Sequence, residues 1–193
     1  MGSSDISPPH VPSWVVPAST GVLGIGVIFW DLFYILVTRR SLRTKSYGLP
    51  VVVLALNVAW EIIYAFYVTE QWLELVGFAV WLLLDIGLIY TTILFAPNEW
   101  TASPWVGRWM AWIFAALVAV GVLGQWSFAR WWLSRPGIGH GDKAGKWYYG
   151  VEGIDTTEIA FWSAAVNGLL GSAGSLMMLA VRGHSGGTDY KSW

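Results

Sequence analysis

Five apolar runs, at about residues 16–38, 49–67, 72–95, 109–131 and 157–181, dominate this chain of 193 residues. Each is near the ~20 helical residues needed to cross the ~30 Å hydrocarbon core of a bilayer. Charged residues make up only 12% of the chain, against about 25% in soluble domains. In hydrocarbon every backbone N–H and C=O needs an internal partner, so apolar runs of this length must be helices. The expected fold is all-α: one polytopic helical membrane bundle with five predicted transmembrane helices in a single domain, residues 1–193.

Positive charge orients the bundle. Arg39, Arg40, Arg43 and Lys45 follow the first run closely, a strong cytoplasmic marker, and Arg108 falls on the same side. The N-terminus is therefore expected outside or in a lumen and the C-terminus in the cytoplasm. The fourth connection, about residues 133–156, strains this topology, because Arg130, Arg135, Lys143 and Lys146 fall on the lumenal side. It reads as a plain Gly-rich loop. Residues 1–15 read as a flexible tail with no cleavable signal peptide. Pro97 predicts a helix break at 96–100, and Gly21, Gly24 and Gly26 suggest a close helix contact along the first span.

A net charge of −1 suggests no nucleic-acid partner. There is no Cys, and His10, His140 and His184 all lie outside the apolar runs, so no metal or other cofactor is expected. Every Lys is in a loop or tail, which removes a Schiff base inside the bundle.

Asp31, Glu61 and Asp85 lie well inside the spans. An acidic side chain at the middle of a membrane helix costs about 2.5–3.5 kcal/mol on insertion scales and calls for an explanation. Asn57 precedes Glu61 by one turn, so the two share a face. Glu61 and Asp85 are on consecutive antiparallel helices and can approach one another. Such a pair serves either as interhelical glue or as an acid site, because a carboxyl among apolar groups keeps its proton near neutral pH. Aromatic faces stabilise a cation, and a dry cavity protects it from quenching. Trp60, Tyr64, Trp81, Tyr90 and Trp162 are candidate walls, although most of the 15 Trp suit packing or interfacial belts. Asp31 reads as a structural partner of Arg39 or Arg40.

Several stretches carry a family resemblance: Ser46-Tyr47-Gly48, Asn57-Val58-Ala59-Trp60-Glu61-Ile62-Ile63-Tyr64, Gly87-Leu88-Ile89-Tyr90, Phe95-Ala96-Pro97-Asn98-Glu99-Trp100, and Arg182-Gly183 with Gly187 and Tyr190. In this order, over about residues 20–190, the chain resembles the small integral membrane terpene cyclases of fungal meroterpenoid and indole-diterpene pathways, the paxilline-cyclase-like group. The resemblance implies a seven-helix enzyme of the endoplasmic reticulum. Such an enzyme protonates the terminal epoxide of a lipophilic prenylated substrate and guides cation–olefin cyclisation, without a metal or loss of diphosphate. The family's first catalytic acid falls on Glu61. Its second is an Asp in the final helices, expected beyond Trp193 and so without a counterpart here. Asp85 is not that residue carried over, since the group is expected to have a neutral polar residue there; it is a candidate substitute in a rearranged site.

The expected site is thus Glu61 and Asp85 as catalytic acids, with Asn57, Trp60, Tyr64, Trp81 and Tyr90 binding substrate. The expected partners are the prenylated substrate, the lipid bilayer and other membrane enzymes of the same pathway. The competing readings are a truncated non-catalytic paralogue that binds lipid or a partner, and a sterol-isomerase-like membrane enzyme.

Overall fold

The computed structural model describes residues 5–189 except 142, 144, 145, 147, 148 and 151. Tyr190 and Trp193, which entered the sequence reading, lie outside the described residues. The chain forms a helical bundle: α1 Val15–Thr44, α2 Val51–Ile63 continuing as a π-helical turn Tyr64–Val68, α3 Trp72–Glu99, a short α4 Pro104–Arg108, α5 Met110–Leu133 and α6 Thr156–Arg182. Five of these segments are long and apolar enough to cross a bilayer, so the all-α polytopic fold stands.

The bundle is built around α2. Of its span, 61% is buried, against 6–22% for the other four. The others present apolar side chains outward, as lipid-facing helices do. Small residues let the neighbours approach α2: a Cβ on Gly121 of α5 would come within 2.8 Å of the Ala59 methyl. Tyr34 and Val37 of α1, Leu54, Ala55 and Val58 of α2, Leu88 of α3 and Phe114 of α5 form one buried cluster. Trp60, Ile63, Tyr64 and Val68 form a second with Ala129 of α5 and Ile159 of α6.

Four expectations need correction. α3 does not break at 96–100: Pro97 lies inside its last turn and the helix runs to Glu99. The proline removes one i→i−4 bond, but only two helical residues follow it, and α4 packs on the proline, with a Gly107 Cβ position 2.8 Å from Pro97 Cα. Nothing approaches Gly21, Gly24 or Gly26 within 4 Å, so this face of α1 makes no close helix contact among the described residues. Asp31 does not pair with Arg39 or Arg40. Arg40 instead binds Asp189 at 2.8 Å and the Gly186 and Thr188 carbonyls, while Asp31 Oδ1 is buried with no hydrogen-bond partner. About nine residues, or roughly 13 Å of helix, separate Asp31 from Arg40.

The fourth correction concerns the tail and the fourth connection. Neither is a plain loop. β1 (Asp5–Ile6) pairs antiparallel with β3 (Tyr149–Gly150), and β2 (His140–Gly141) with β4 (Gly153–Ile154). Lys143 binds Asp5 at 2.7 Å with both side chains buried. Lys146 binds Asp155 at 2.5 Å and Glu158 at 2.8 Å. Thr157 hydrogen-bonds Asp5, and Thr156 hydrogen-bonds Glu70. The segment is a cap over one end of the bundle, and the two lysines that strained the topology are paired inside it. Burial opposes the Lys146 charge, but its hydrogen bonds to Asp155 and Glu158 outweigh this and raise its pKa above the usual 10.5.

The opposite end is clamped by Arg182, which closes α6 before the left-handed Gly183 (φ 70°). Its guanidinium lies 4.0 Å over the Tyr47 ring, donates to the Tyr47 carbonyl at 2.9 Å and pairs with Glu99 at 3.2 Å. Trp100 Nε1 donates to Tyr47 Oη at 3.0 Å, and Asn98 donates to the Lys45 carbonyl at 2.8 Å. The motif pieces at 46–48, 95–100 and 182–187 therefore meet in one place, tying α1, α2, α3 and α6 together.

Candidate active site

Asn57 and Glu61 are one helical turn apart on α2, and Asp85 is near the middle of the 28-residue α3. A rise of 1.5 Å per residue puts Glu61 about 15 Å from the start of α2 and Asp85 about 20 Å from either end of α3, at mid-membrane depth. Both acids face inward: Glu61 is 1% and Asp85 0% exposed. The approach anticipated for antiparallel neighbours occurs: one side-chain amide, that of Asn57, reaches a carboxyl oxygen of each acid.

Glu61 Oε1 accepts from Tyr34 Oη at 2.9 Å and from Asn57 Nδ2 at 2.8 Å. The same Asn57 amide donates to Tyr34 Oη at 2.8 Å and makes a longer contact of 3.4 Å to Asp85 Oδ2. On its other side, Asn57 Oδ1 accepts from Asn167 Nδ2 of α6 at 2.8 Å. Four helices thus contribute to one polar knot. Two of its oxygens are left over: Glu61 Oε2 and Asp85 Oδ1 are buried with no donor. Two ionised carboxylates only accept, so a hydrogen bond between them requires a proton on one.

Aromatic rings lie alongside. Trp60 packs on Tyr64 with centroids 4.9 Å apart and on Phe78 at 5.3 Å, and Phe78 meets Trp81 edge-on at 5.4 Å. Trp81 is one turn before Asp85, and Trp60 is anchored by its Nε1 donating to Ser163 of α6 at 2.9 Å. Tyr64 opens the π-helical turn and reaches the Ile159 carbonyl at 3.4 Å. A π turn shifts the register of one helical turn, and here it does so just after the acid. Two hollows of about 440 and 570 Å³ lie elsewhere, at the Arg40–His184 end.

Of the expected site residues, Asn57, Trp60, Glu61, Tyr64, Trp81 and Asp85 are brought together. Tyr90 is not: it is 57% exposed on the outer face of α3, five residues and about 140° of helix beyond Asp85. Trp162 also faces outward, 52% exposed. Tyr34 and Asn167 were missed. Asn167 had a signal, a lone amide inside an apolar run like Asn57. Tyr34 had none, since one tyrosine in an aromatic-rich span is unremarked. Among the described residues no group of three or more His, Asp or Glu is placed to hold a metal ion.

Fold and site together define a polytopic helical membrane protein with a carboxyl pair buried beside aromatic rings at mid-depth. The chain belongs to the Pyr4-like transmembrane terpene cyclases, whose family model matches residues 4–193. It is 37% identical over 186 residues to the terpene cyclase ascF of Acremonium egyptiacum, covering 96% of this chain and 65% of that protein. It is 33% identical over 173 residues to the terpene cyclase janB of Penicillium janthinellum, covering 89% and 62%. It is 27% identical over 195 residues to the terpene cyclase pyr4 of Aspergillus fumigatus, covering 100% and 71%. The chain therefore spans about two thirds of the length of these relatives. No solved structure matches it.

Proposed function

We propose that the chain carries the acid site of a membrane terpene cyclase and acts on an epoxidised prenyl group. The observation that supports this most is the Glu61–Asp85 pair, in which each acid keeps one buried oxygen without a donor beside packed aromatic rings, in a member of this family. In this reading Glu61 gives the proton on Oε2 to the epoxide oxygen. The epoxide C–O bond breaks with its electron pair going to that oxygen. The π pair of the neighbouring alkene forms a C–C bond to the vacated carbon, and the charge moves to the next carbon. The final cation loses a proton to the acid pair, which restores it, so the overall change is an isomerisation. Tyr34 and Asn57 donate to Oε1 and stabilise the carboxylate that proton transfer leaves. The faces of Trp60, Tyr64 and Trp81 stabilise the moving cation.

The substrate class belongs to the same proposal: a lipophilic, prenylated aromatic or indole of meroterpenoid or indole-diterpene type, reaching the site from the bilayer and supplied by neighbouring membrane enzymes. A membrane of the endoplasmic reticulum is the proposed location, with the Arg39–Lys45 cluster on the cytoplasmic side and the strand-paired cap in the lumen.

The test uses membranes containing the chain and an epoxidised prenyl-aromatic precursor, with products separated by retention and mass. The expected product has the precursor's mass and a new retention time. Glu61→Gln is expected to abolish it while the protein still accumulates in membranes. Undiminished product from Glu61→Gln refutes the mechanism.

A further inference from the structure

Asn57 donates to both acids, and its own amide is held in turn from another helix. A side-chain amide has one donating and one accepting end, and exchanging them by a flip of the group reverses every hydrogen bond it makes. Here the NH2 end meets Glu61 Oε1 and Tyr34 Oη, both at 2.8 Å, and Asp85 Oδ2 at 3.4 Å. The carbonyl end accepts from Asn167 Nδ2 at 2.8 Å. A flip would turn Asn57 Oδ1 toward two carboxyl oxygens and face the Asn167 amide hydrogens with hydrogens. Asn167 is the only partner of the carbonyl end among the described residues, and with its own amide in this orientation it is the one group outside the Tyr34–Glu61–Asp85 cluster that favours the observed orientation of Asn57.

The consequence falls on the acids. With two donors on Oε1, Glu61 has Oε2 left to carry or share a proton, and Asp85 has Oδ1 left, buried and without a donor like Oε2. We propose that Asn167 is a positioning residue: by fixing the Asn57 amide it directs the proton of the acid pair to the edge formed by Glu61 Oε2 and Asp85 Oδ1. This rests on the proposed cyclase reading for its effect on turnover, but not for its effect on the proton. Asn167 sits half-buried on α6.

The experiment uses the full chain in lipid vesicles. The infrared carbonyl stretch of protonated carboxyls is recorded in the wild type, located with Glu61→Gln and Asp85→Asn, and compared in Asn167→Leu and Asn167→Gln. Asn167→Leu is expected to shift the band, and Asn167→Gln, which keeps an amide donor, to hold it near the wild-type position. With the epoxy-prenyl precursor, Asn167→Leu is expected to lower kcat about tenfold, as befits one lost hydrogen bond in the site, with KM little changed and activity partly restored in Asn167→Gln. A wild type with no protonated-carboxyl band, or an Asn167→Leu band at the wild-type position, overturns the proposal. A shifted band in a protein that turns over no substrate supports the positioning role and counts against the cyclase reading alone.

Discussion

Replacing Tyr34 by Phe removes a single oxygen from the polar knot and keeps the ring that fills the α1–α2–α3 core. Tyr34 is 1% exposed, so no water can take the place of its hydroxyl. Glu61 Oε1 loses one of two donors, the one at 2.9 Å, and keeps Asn57 at 2.8 Å. Asn57 loses an acceptor but keeps Glu61 and the longer contact to Asp85. No group is stranded, so the cost to the folded state is about 1 kcal/mol. The cost to turnover is larger. A hydrogen bond to an ionised carboxylate contributes more than one to the neutral acid, and in the proposed reaction Glu61 becomes a carboxylate as it gives up its proton. A difference of about 1–2 kcal/mol corresponds to a fall in kcat of roughly 5- to 30-fold. The assay is the initial rate with saturating epoxy-prenyl precursor in vesicles of matched protein content, with thermal unfolding measured alongside. Tyr34→Ala is the contrast: it empties a core site and is expected to cost about 3–5 kcal/mol of stability. The reasoning is refuted if Tyr34→Phe turns over at the wild-type rate, or if its loss of rate is matched by a loss of folded protein like that of Tyr34→Ala.

The cap gives two further predictions. Lys143→Met leaves the buried Asp5 carboxylate without its 2.7 Å partner and is expected to destabilise the cap by about 3–5 kcal/mol, read as faster protease cleavage between residues 133 and 156, with Asp5→Asn added to Lys143→Met recovering part of the resistance. Equal resistance in Lys143→Met and wild type would remove the ion pair as the cap's fastener. The Lys146 ammonium is held above its ordinary pKa of 10.5 by Asp155 and Glu158 against the effect of burial. Its contribution is therefore fully present below the unfolded-state value and is lost as pH rises through the higher folded value. Protease resistance followed into the alkaline range should fall more in the wild type than in Lys146→Met, which begins lower; parallel curves would contradict this.

Much of the site was legible on α2 alone. Asn57 and Glu61 are four residues apart, and helical periodicity puts them on one face whatever surrounds them. Trp60 and Tyr64 flank Glu61 in the chain and stay beside it in the fold. Asp85 was legible as an acid at depth, because its place in the span follows from counting residues. Tyr90 was misplaced because membership of a recognisable stretch says nothing about rotation: about 140° of helix turns it away from Asp85. The Gly-rich fourth connection looked unstructured because its strands are only two residues long and part of its order comes from Asp5, more than 130 residues away, and no local pattern announces such a partner.

The apolar runs by themselves determined that this chain crosses a membrane as helices, how many spans these residues make, and that Asp31, Glu61 and Asp85 lie within them. Hydrocarbon leaves the backbone no other partner, and residue count sets depth. Only the tertiary structure decided that Tyr34 and Asn167 complete the acid site, that the amide of Asn57 faces the acids, and that Arg182, Tyr47 and Glu99 clamp the far end. Those outcomes depend on how each helix is rotated against its neighbours, which is set by packing between residues far apart in the chain.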